Sequence, residues 1–184
     1  MSSYPNSMLQ IIPATERDVP LVFSFIRKLA EYEKLLDQVV ATEELLRDGL
    51  FGPHPAAEVV LAYLDGQPVG FALYFHTFST FVGRSGIYLE DLFVEPTHRG
   101  LGVGKALLAY VANLAVERGC GRYEWSVLNW NTPSINFYKS LGAVPLDDWT
   151  RYRLAGDALD RVAAQSAATP TATYNSDSAS PESV

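Results

Sequence analysis

The sequence of 184 residues is poor in cysteine, in histidine and in positive charge. Cys120 alone cannot form an internal disulfide or a cysteine metal cluster, and its glycine neighbours indicate a small residue at a turn rather than a nucleophile. The 3 histidines stand apart in the chain, so no metal site is expected. A net charge of -7 argues against a nucleic-acid partner, because nucleic acids select basic surfaces.

Long apolar runs are also missing from the sequence. No stretch is long enough to span a membrane, and residues 1–7 are too polar for a signal peptide, so we expect a soluble, cytoplasmic protein without a membrane partner. The composition, 48% hydrophobic and 19% charged, is sufficient for the core of one globular domain, which we place at residues 1–160. Residues 161–184 are rich in Ala, Ser, Thr and Pro and are expected to form a disordered tail.

Helical and strand-like patterns alternate along the domain. Their periods and their capping and turn residues predict a mixed α/β fold, in which a mostly antiparallel, twisted sheet is flanked by helices. The predicted strands are residues 8–12, 59–64, 69–78, 87–94 and 122–128, and a final hairpin at 143–154; the predicted helices are 15–34, 42–49, 102–118 and one that begins at residue 131 or 132 and ends at Gly142.

A glycine-rich turn follows the strand at residues 87–94. Glycines before a helix leave backbone N–H groups uncovered, and the helix N-terminus adds about half a positive charge, so the turn can hold a phosphate. The spacing fits neither a P-loop nor a dinucleotide fingerprint. It does fit Arg/Gln-x-x-Gly-x-Gly/Ala, with Arg99, Gly102 and Gly104, and thus resembles the acetyl-coenzyme A pyrophosphate loop of the GNAT superfamily of N-acetyltransferases.

Acidic residues accompany this turn at two places in the sequence. Glu33 continues the apolar stripe of the first helix, either as a solvated residue at a fraying helix end or as a carboxylate that meets a substrate ammonium. Glu90 and Asp91 lie side by side in the central strand, where alternation sends them to opposite faces unless a bulge intervenes. One of them is expected in the active cleft, and a hydrogen-bonded structural acid is the alternative.

The stretch Asn129–Gly142 extends the resemblance, because Asn-x-Pro-Ser-Ile-Asn-Phe-Tyr-Lys is similar to the late helix of the superfamily. The acidic helices and Tyr-Leu-Glu-Asp in the central strand are similar to the branch that contains spermidine/spermine (diamine) and thialysine N-acetyltransferases. The sequence departs from that branch at Ser79, Phe81 and Leu141, and its final hairpin around Asp148 is shorter. These departures bear on polyamine specificity rather than on the chemistry.

The resemblance implies a set of site residues and a dimer of two identical chains. Acetyl-CoA would be the co-substrate, without a metal, and Glu90 and Tyr138 would be catalytic. Residues implied to hold the coenzyme are Leu92, Phe93, Val94, Arg99, Gly100, Leu101, Gly102, Val103, Gly104, Lys105, Asn131, Thr132, Pro133, Ser134 and Tyr138. Residues implied to bind the amine are Tyr32, Glu33, Glu90, Asp91, Glu124, Trp125, Ser126 and Asp148.

The expected reaction moves an acetyl group from acetyl-CoA to a primary amine of a small cationic, diamine- or polyamine-like substrate. An alkyl ammonium with a pKa of about 10 must lose a proton before it can attack, and Glu90 can accept that proton. The backbone N–H of Val94 would stabilise the developing negative charge, and Tyr138 would donate a proton to the departing thiolate. The alternatives are acetylation of thialysine or another amino-acid side chain, acetylation of a protein lysine, and a non-catalytic acyl-CoA sensor.

Overall fold

The structure is a computed structural model that describes residues 8–166. Five strands form one sheet in the order β1-β2-β3-β4-β5, antiparallel except for the parallel pair β4 and β5, which confirms the predicted fold class. The elements are β1 Leu9–Pro13, α1 Val19–Glu33, α2 Glu43–Phe51, β2 Glu58–Leu64, β3 Gln67–Ser79, β4 Arg84–Val94, α3 Val103–Glu117, β5 Tyr123–Trp125, α4 Thr132–Ser140 and α5 Asp157–Ser166.

The chain divides into two compact units between Asn136 and Phe137, within α4. The first unit contains the whole sheet together with α1, α2 and α3. The second begins in the last part of α4 and includes α5. The predicted tail beyond Ser166 and the polar start at residues 1–7 lie outside the described residues.

Helix α1 packs its predicted apolar stripe on one face of the sheet. Val22 and Phe25 are fully buried there, and the Phe25 ring stacks on Phe71 of β3 at 5.7 Å and lies 5.8 Å from Phe93 of β4. Burying an aromatic side chain of this size stabilises the fold by about 2 to 3 kcal/mol. The helix ends where Lys34 adopts a left-handed conformation.

Helix α3 covers the opposite face of the same sheet. Strand residues alternate between faces, so Gly70 and Val94 point away from Phe71 and Phe93. A Cβ built on Gly70 would lie 3.5 Å from Leu107 of α3, and one built on Gly104 would lie 3.6 Å from Val94. The sheet is therefore enclosed between α1 on one side and α3 on the other.

The hairpin of β2 and β3 follows the sequence prediction. Asp65 and Gly66 both have positive φ, 51° and 79°, which is the backbone required by a two-residue hairpin turn of the primed type. Glycine meets this requirement without strain, and aspartate tolerates it.

Strand β4 contains a bulge at Glu90. Leu73 of β3 pairs with Asp91 whereas Tyr74 pairs with Leu89, so Glu90 has no partner on β3. Beyond the bulge the facing of the side chains is reversed, and Asp91 shares the α1 face with Leu73 and Phe93. The sequence placed Glu90 and Asp91 on opposite faces of the sheet unless a bulge intervened. The structure contains that bulge, so simple alternation does not hold at this point.

The parallel pairing of β5 with β4 stops just before the bulge. It extends only from Ile87 to Leu89 of β4, and β5 is shorter than the predicted 122–128. From Asp91 to Val94, β4 pairs with β3 on one edge, and no strand within residues 8–166 pairs with its other edge. The two parallel strands thus separate at the point where the acidic residues stand.

Three predicted boundaries are corrected by the structure. Residues 143–154 form no strands, and the apolar side chains of Val144, Leu146 and Trp149 remain exposed, because an alternating pattern needs a partner strand to bury its apolar face. Helix α5 extends to Ser166, into the segment predicted to lack structure. The second helix, predicted to end at Gly49, continues to Phe51 with Gly52 as its C-cap, because a helix interior tolerates one glycine. Thr42 caps its start, which agrees with the predicted boundary.

Candidate functional site

The free edge of β4 leads directly into the glycine-rich turn. Gly100 and Gly102 have φ values of 78° and 85°, and a Cβ built on either would have no neighbour within 4 Å, so the turn presents bare backbone. Gly102 is the N-cap of α3, and among residues 8–166 no side chain caps the first N–H groups of that helix. These features fit a phosphate group, because uncapped N–H groups and the helix dipole both favour an anion there.

Arg99 connects the end of β4 with the end of α1. Its Nε donates a hydrogen bond to the carbonyl of Val94 at 3.1 Å, and its guanidinium carbon lies 4.6 Å from the centre of the Tyr32 ring. This residue is implied by the family pattern to hold pyrophosphate, but here it binds the strand edge and an aromatic face. Its predicted role in coenzyme binding stays a prediction.

Asn131 joins the start of α4 to α1. Its side chain is only 6% exposed, and its Oδ1 accepts hydrogen bonds from the hydroxyl of Tyr32 at 3.2 Å and from the backbone N–H of Ser134 at 3.3 Å. The sequence left the start of this helix open between residues 131 and 132, and the hydrogen bond from Ser134 shows that Asn131 caps it. Thr132 and Pro133 follow in the first turn of α4.

An acidic cluster, defined as Glu33, Glu90 and Asp91, lies at the bulge. Burial raises the pKa of Asp91 to about 7, and the charges of Glu90 and Glu33 add to that effect. Burial also raises the pKa of Glu33. Glu90 is exposed, whereas Glu33 and Asp91 are half-buried. Because Glu90 and Glu33 both lie close enough to Asp91 to affect its pKa, the cluster favours a bound cation.

Glu124, Trp125 and Ser126, which were predicted to bind the amine, contact neighbouring side chains of the protein. The Glu124 carboxylate pairs with Arg122 at 2.7 Å, and Ser126 Oγ lies 2.6 Å from the Tyr88 hydroxyl. The Trp125 ring lies 5.1 Å from the ring of Tyr123. Glu124 is therefore already neutralised by an arginine, which makes it a weaker candidate for amine binding than the acidic cluster.

The remaining predicted residues are distributed over both units. On β4, Phe93 is buried in the core, while Leu92 and Val94 are half-buried and belong to the part of the strand with a free edge. In the turn, Gly100, Leu101 and Gly102 are exposed. Helix α3 begins with Val103 and Gly104, and the next residue, Lys105, is exposed. Tyr138 and the exposed Asp148 belong to the second unit, where the Tyr138 ring lies 5.4 Å from Phe137. The predicted roles of these residues stay predictions.

Sequence reasoning missed Trp130, which directly precedes Asn131. Its ring lies 5.9 Å from the Tyr32 ring. The available signal was its position, an aromatic residue immediately before a helix cap in a segment with a predicted role.

A strand edge without a partner, a bare glycine turn before a helix and a neighbouring acidic cluster together suit an N-acetyltransferase that takes its acetyl group from a phosphorylated carrier. The model of the Acetyltransferase (GNAT) family matches residues 25–143, so the chain belongs to the GNAT acetyltransferases. The resemblance noted in the sequence is confirmed.

Similar proteins support the same conclusion. The chain is 40% identical over 161 residues to thialysine N-epsilon-acetyltransferase of Sus scrofa, covering 82% of this chain and 94% of that protein. It is 35% identical over 155 residues to spermidine/spermine N(1)-acetyltransferase-like protein 1 of Homo sapiens, covering 78% of this chain and 22% of that protein. An integron cassette protein from the mobile metagenome of V. cholerae has a similar structure, with a TM-score of 0.71 and 29% identity, covering 84% of this chain and 97% of that one.

The protein is thus an acetyltransferase, and GNAT enzymes use acetyl-CoA as co-substrate. The bare turn and the free edge of β4 fit a long phosphorylated thioester. Within residues 8–166 no three His, Cys, Asp or Glu side chains are grouped to hold a metal ion. In that same part of the chain, no helix combines the length and the apolar character that a membrane span requires.

Proposed function

We propose that the protein transfers the acetyl group of acetyl-CoA to a primary amine of a small, cationic, aliphatic substrate. The observation that carries this proposal is the acidic cluster of Glu33, Glu90 and Asp91 at the point where β4 loses its parallel partner. Burial is the main cause of the raised pKa of Asp91, and an ammonium bound there would offset the smaller contribution from the charges of Glu90 and Glu33. That ammonium would then stand next to the strand edge that we assign to the thioester.

The chemistry requires a proton acceptor for the ammonium. Glu90 is exposed at the bulge and adjacent to the half-buried Asp91. We assign Glu90 as the acceptor, acting directly or through a water molecule, a function that typically accelerates a reaction by roughly 10²- to 10⁴-fold. The backbone N–H of Val94 stabilises the negative charge that develops on the carbonyl oxygen, and Tyr138 protonates the thiolate. The family pattern supports the assignment of Tyr138.

The relative from Sus scrofa, of which this chain covers 94%, favours a side-chain amine of the thialysine type as the substrate. The second candidate, a diamine or polyamine, is favoured by the human spermidine/spermine relative. Ser79 and Phe81 stand where the polyamine branch carries an aspartate and a tryptophan. The first of these changes removes one negative charge from that position.

The experiment measures thiol release from acetyl-CoA with thialysine, lysine, diamines, spermidine and a lysine-containing peptide. A preference of kcat/KM for thialysine and lysine over spermidine supports the side-chain amine, and the reverse order supports the polyamine. Turnover of the peptide alone would contradict a small substrate. Coenzyme binding without thiol release for any amine would sink the proposal and leave a non-catalytic acyl-CoA sensor.

Two variants test the assigned roles. Tyr138→Phe is expected to lower kcat by at least tenfold with little change in the affinity for acetyl-CoA, because only the proton donor is lost. Glu90→Gln is expected to lower kcat/KM most strongly below pH 9, where the amine is charged. Intact turnover in both variants would refute the roles without refuting the reaction.

We also propose a homodimer, cytoplasmic location and a catalytic domain spanning residues 1–160. Sedimentation equilibrium decides the oligomeric state, and a mass equal to one chain would refute the dimer. The resemblance alone supports the dimer, because the predicted final hairpin at residues 143–154, whose apolar strands could have formed an interface, is not formed.

A further inference from the structure

Trp130 lies in the connection between β5 and α4. Its side chain is 51% exposed, and its ring is tilted by 52° against the ring of Tyr32 at 5.9 Å. Tyr32 is held in place by its hydrogen bond to Asn131. The two rings therefore form an aromatic pair of which a large part faces solvent.

A cation lies over each ring of this pair. The guanidinium of Arg99 lies 4.6 Å from the centre of Tyr32, and Nζ of Lys34 lies 6.0 Å from the centre of Trp130. The face of an aromatic ring carries partial negative charge and attracts cations within about 6 Å. Lys34 presents a primary alkyl ammonium, the same chemical group as in the proposed substrates.

Lys34 also has an unfavourable backbone conformation. It caps α1 with φ 62° and ψ 34°, and its N–H is bonded to the carbonyls of Ala30 and Glu31. Glycine is usual at such a helix end, since other residues incur a steric cost of about 1 kcal/mol there. The chain thus carries a lysine where glycine is easier to accommodate, and its side chain extends to Trp130.

We propose that Trp130, packed against Tyr32, forms an aromatic wall for a positively charged group of the substrate, and that Lys34 competes with the substrate for Trp130. This inference rests on the proposed function. The reacting amine must lose its proton, so the wall binds a group that stays charged: the second ammonium of a diamine, or the α-ammonium of an amino acid. Trp130 is then a residue that determines specificity.

The first test compares 1,5-diaminopentane with 1-aminopentane, which lacks the second charge. In Trp130→Leu, we expect the KM of the diamine to rise about five- to tenfold with kcat nearly unchanged, while the KM of the monoamine stays the same. Trp130→Phe retains an aromatic face and should recover most of the loss. An unchanged KM for the diamine, or an equal rise for both amines, would overturn the proposal.

The second test removes the competing cation. Lys34→Met keeps a long apolar stem without the charge, and we expect the KM of the diamine to fall about threefold. Lys139→Met, on α4, is the matched control and should leave that KM unchanged. A rise in the KM of Lys34→Met would show that Lys34 assists binding and would contradict the competition.

Calorimetry separates this inference from the proposed function. Titration of 1,5-diaminopentane into the wild type and Trp130→Leu measures affinity without turnover. A five- to tenfold weaker affinity in Trp130→Leu supports the wall even if no amine is acetylated. Equal affinities would refute the wall even if acetylation proceeds.

Discussion

At the scale of single residues, the electrostatics of the first unit contain two opposite cases. Burial, and to a lesser extent the charges of the neighbouring acids, raise the pKa of Asp91 from 3.8 to about 7. The pKa of the Glu58 carboxyl group is lowered, and its hydrogen bond with Arg118 is the largest cause. The two should therefore make stability depend on pH in opposite directions.

For Asp91, the folded protein holds a proton that the unfolded chain releases above pH 4. Stability therefore falls as pH rises from about 4 to 7, and Asp91→Asn should stabilise the protein at pH 8 by about 2 to 4 kcal/mol, since each pKa unit is worth about 1.4 kcal/mol. Urea unfolding at pH 8 and pH 4 measures the difference, which should nearly disappear at pH 4. Asp37→Asn is the control, because Asp37 is exposed in the short 3-10 helix Leu36–Gln38 that follows α1. An equal gain at both pH values would contradict the assignment.

For Glu58, both carboxylate oxygens accept from Arg118, at 2.5 and 2.7 Å, and join the start of β2 to the end of α3. The stabilisation is present above the unfolded pKa near 4.5 and is lost as pH falls through the lower folded pKa. Solvent screens this partly exposed pair, so Glu58→Gln should cost about 1 kcal/mol at pH 7 and almost nothing at pH 2. Glu16→Gln breaks a looser, more exposed pair with Arg47, and its effect in the same denaturation should be smaller.

At the scale of elements, the spacing between β3 and β4 depends on a glycine. A Cβ on Gly70 would lie 2.5 Å from the carbonyl oxygen of Phe93, which a strand in the middle of a sheet cannot accommodate without moving. Gly70→Ala should cost about 2 kcal/mol or more in chemical denaturation. Gly49→Ala in α2 is the matched control, because nothing lies within 4 Å and alanine favours the helix by up to about 1 kcal/mol. Destabilisation by both substitutions would contradict the steric argument.

Elements whose signals are local could be predicted from the sequence. The apolar stripe of α1 and the Asp65–Gly66 turn are each formed by residues close together in the sequence. Helical periodicity and turn chemistry were therefore sufficient to predict them. The bulge at Glu90 depends on how β3 pairs with β4, which no local pattern records. Alternation at residues 143–154 predicted a hairpin that is absent there. The contact of Tyr32 with Trp130 joins residues far apart in the chain and was not predictable.

At the scale of the whole molecule, the core of the first unit is centred on Phe25, which contacts both Phe71 and Phe93. Phe25→Ala should lower the free energy of unfolding by about 3 to 5 kcal/mol, because the cavity lies between a helix and two central strands. Phe23→Ala, on the more exposed side of the same helix, is the control and should cost less than about 1 kcal/mol. Guanidinium unfolding followed by circular dichroism measures both. Similar losses would show that the core is centred elsewhere.

For the candidate site, the structure shows where the predicted side chains lie, while their roles stay predictions. Glu33, Glu90 and Asp91 were proposed from their positions, and in the structure the charges of Glu33 and Glu90 both act on Asp91. Glu124 was implied by the resemblance alone; it pairs with Arg122, and its role in amine binding stays a prediction. This ion pair joins residues two positions apart in the sequence and was visible in principle, whereas the burial of Asp91 depends on the fold.

The separation of β4 from β5 has a consequence for how such a protein can diversify. Main-chain groups between Asp91 and Val94 are the same whichever side chains the strand carries, so an acyl carrier docked on them, as we propose, would be insensitive to most substitutions nearby. In the same proposal, recognition of the acceptor would depend on side chains from α1, the bulge and the connection before α4. New acceptors can then arise by changing a handful of residues while the donor half of the reaction is inherited unaltered.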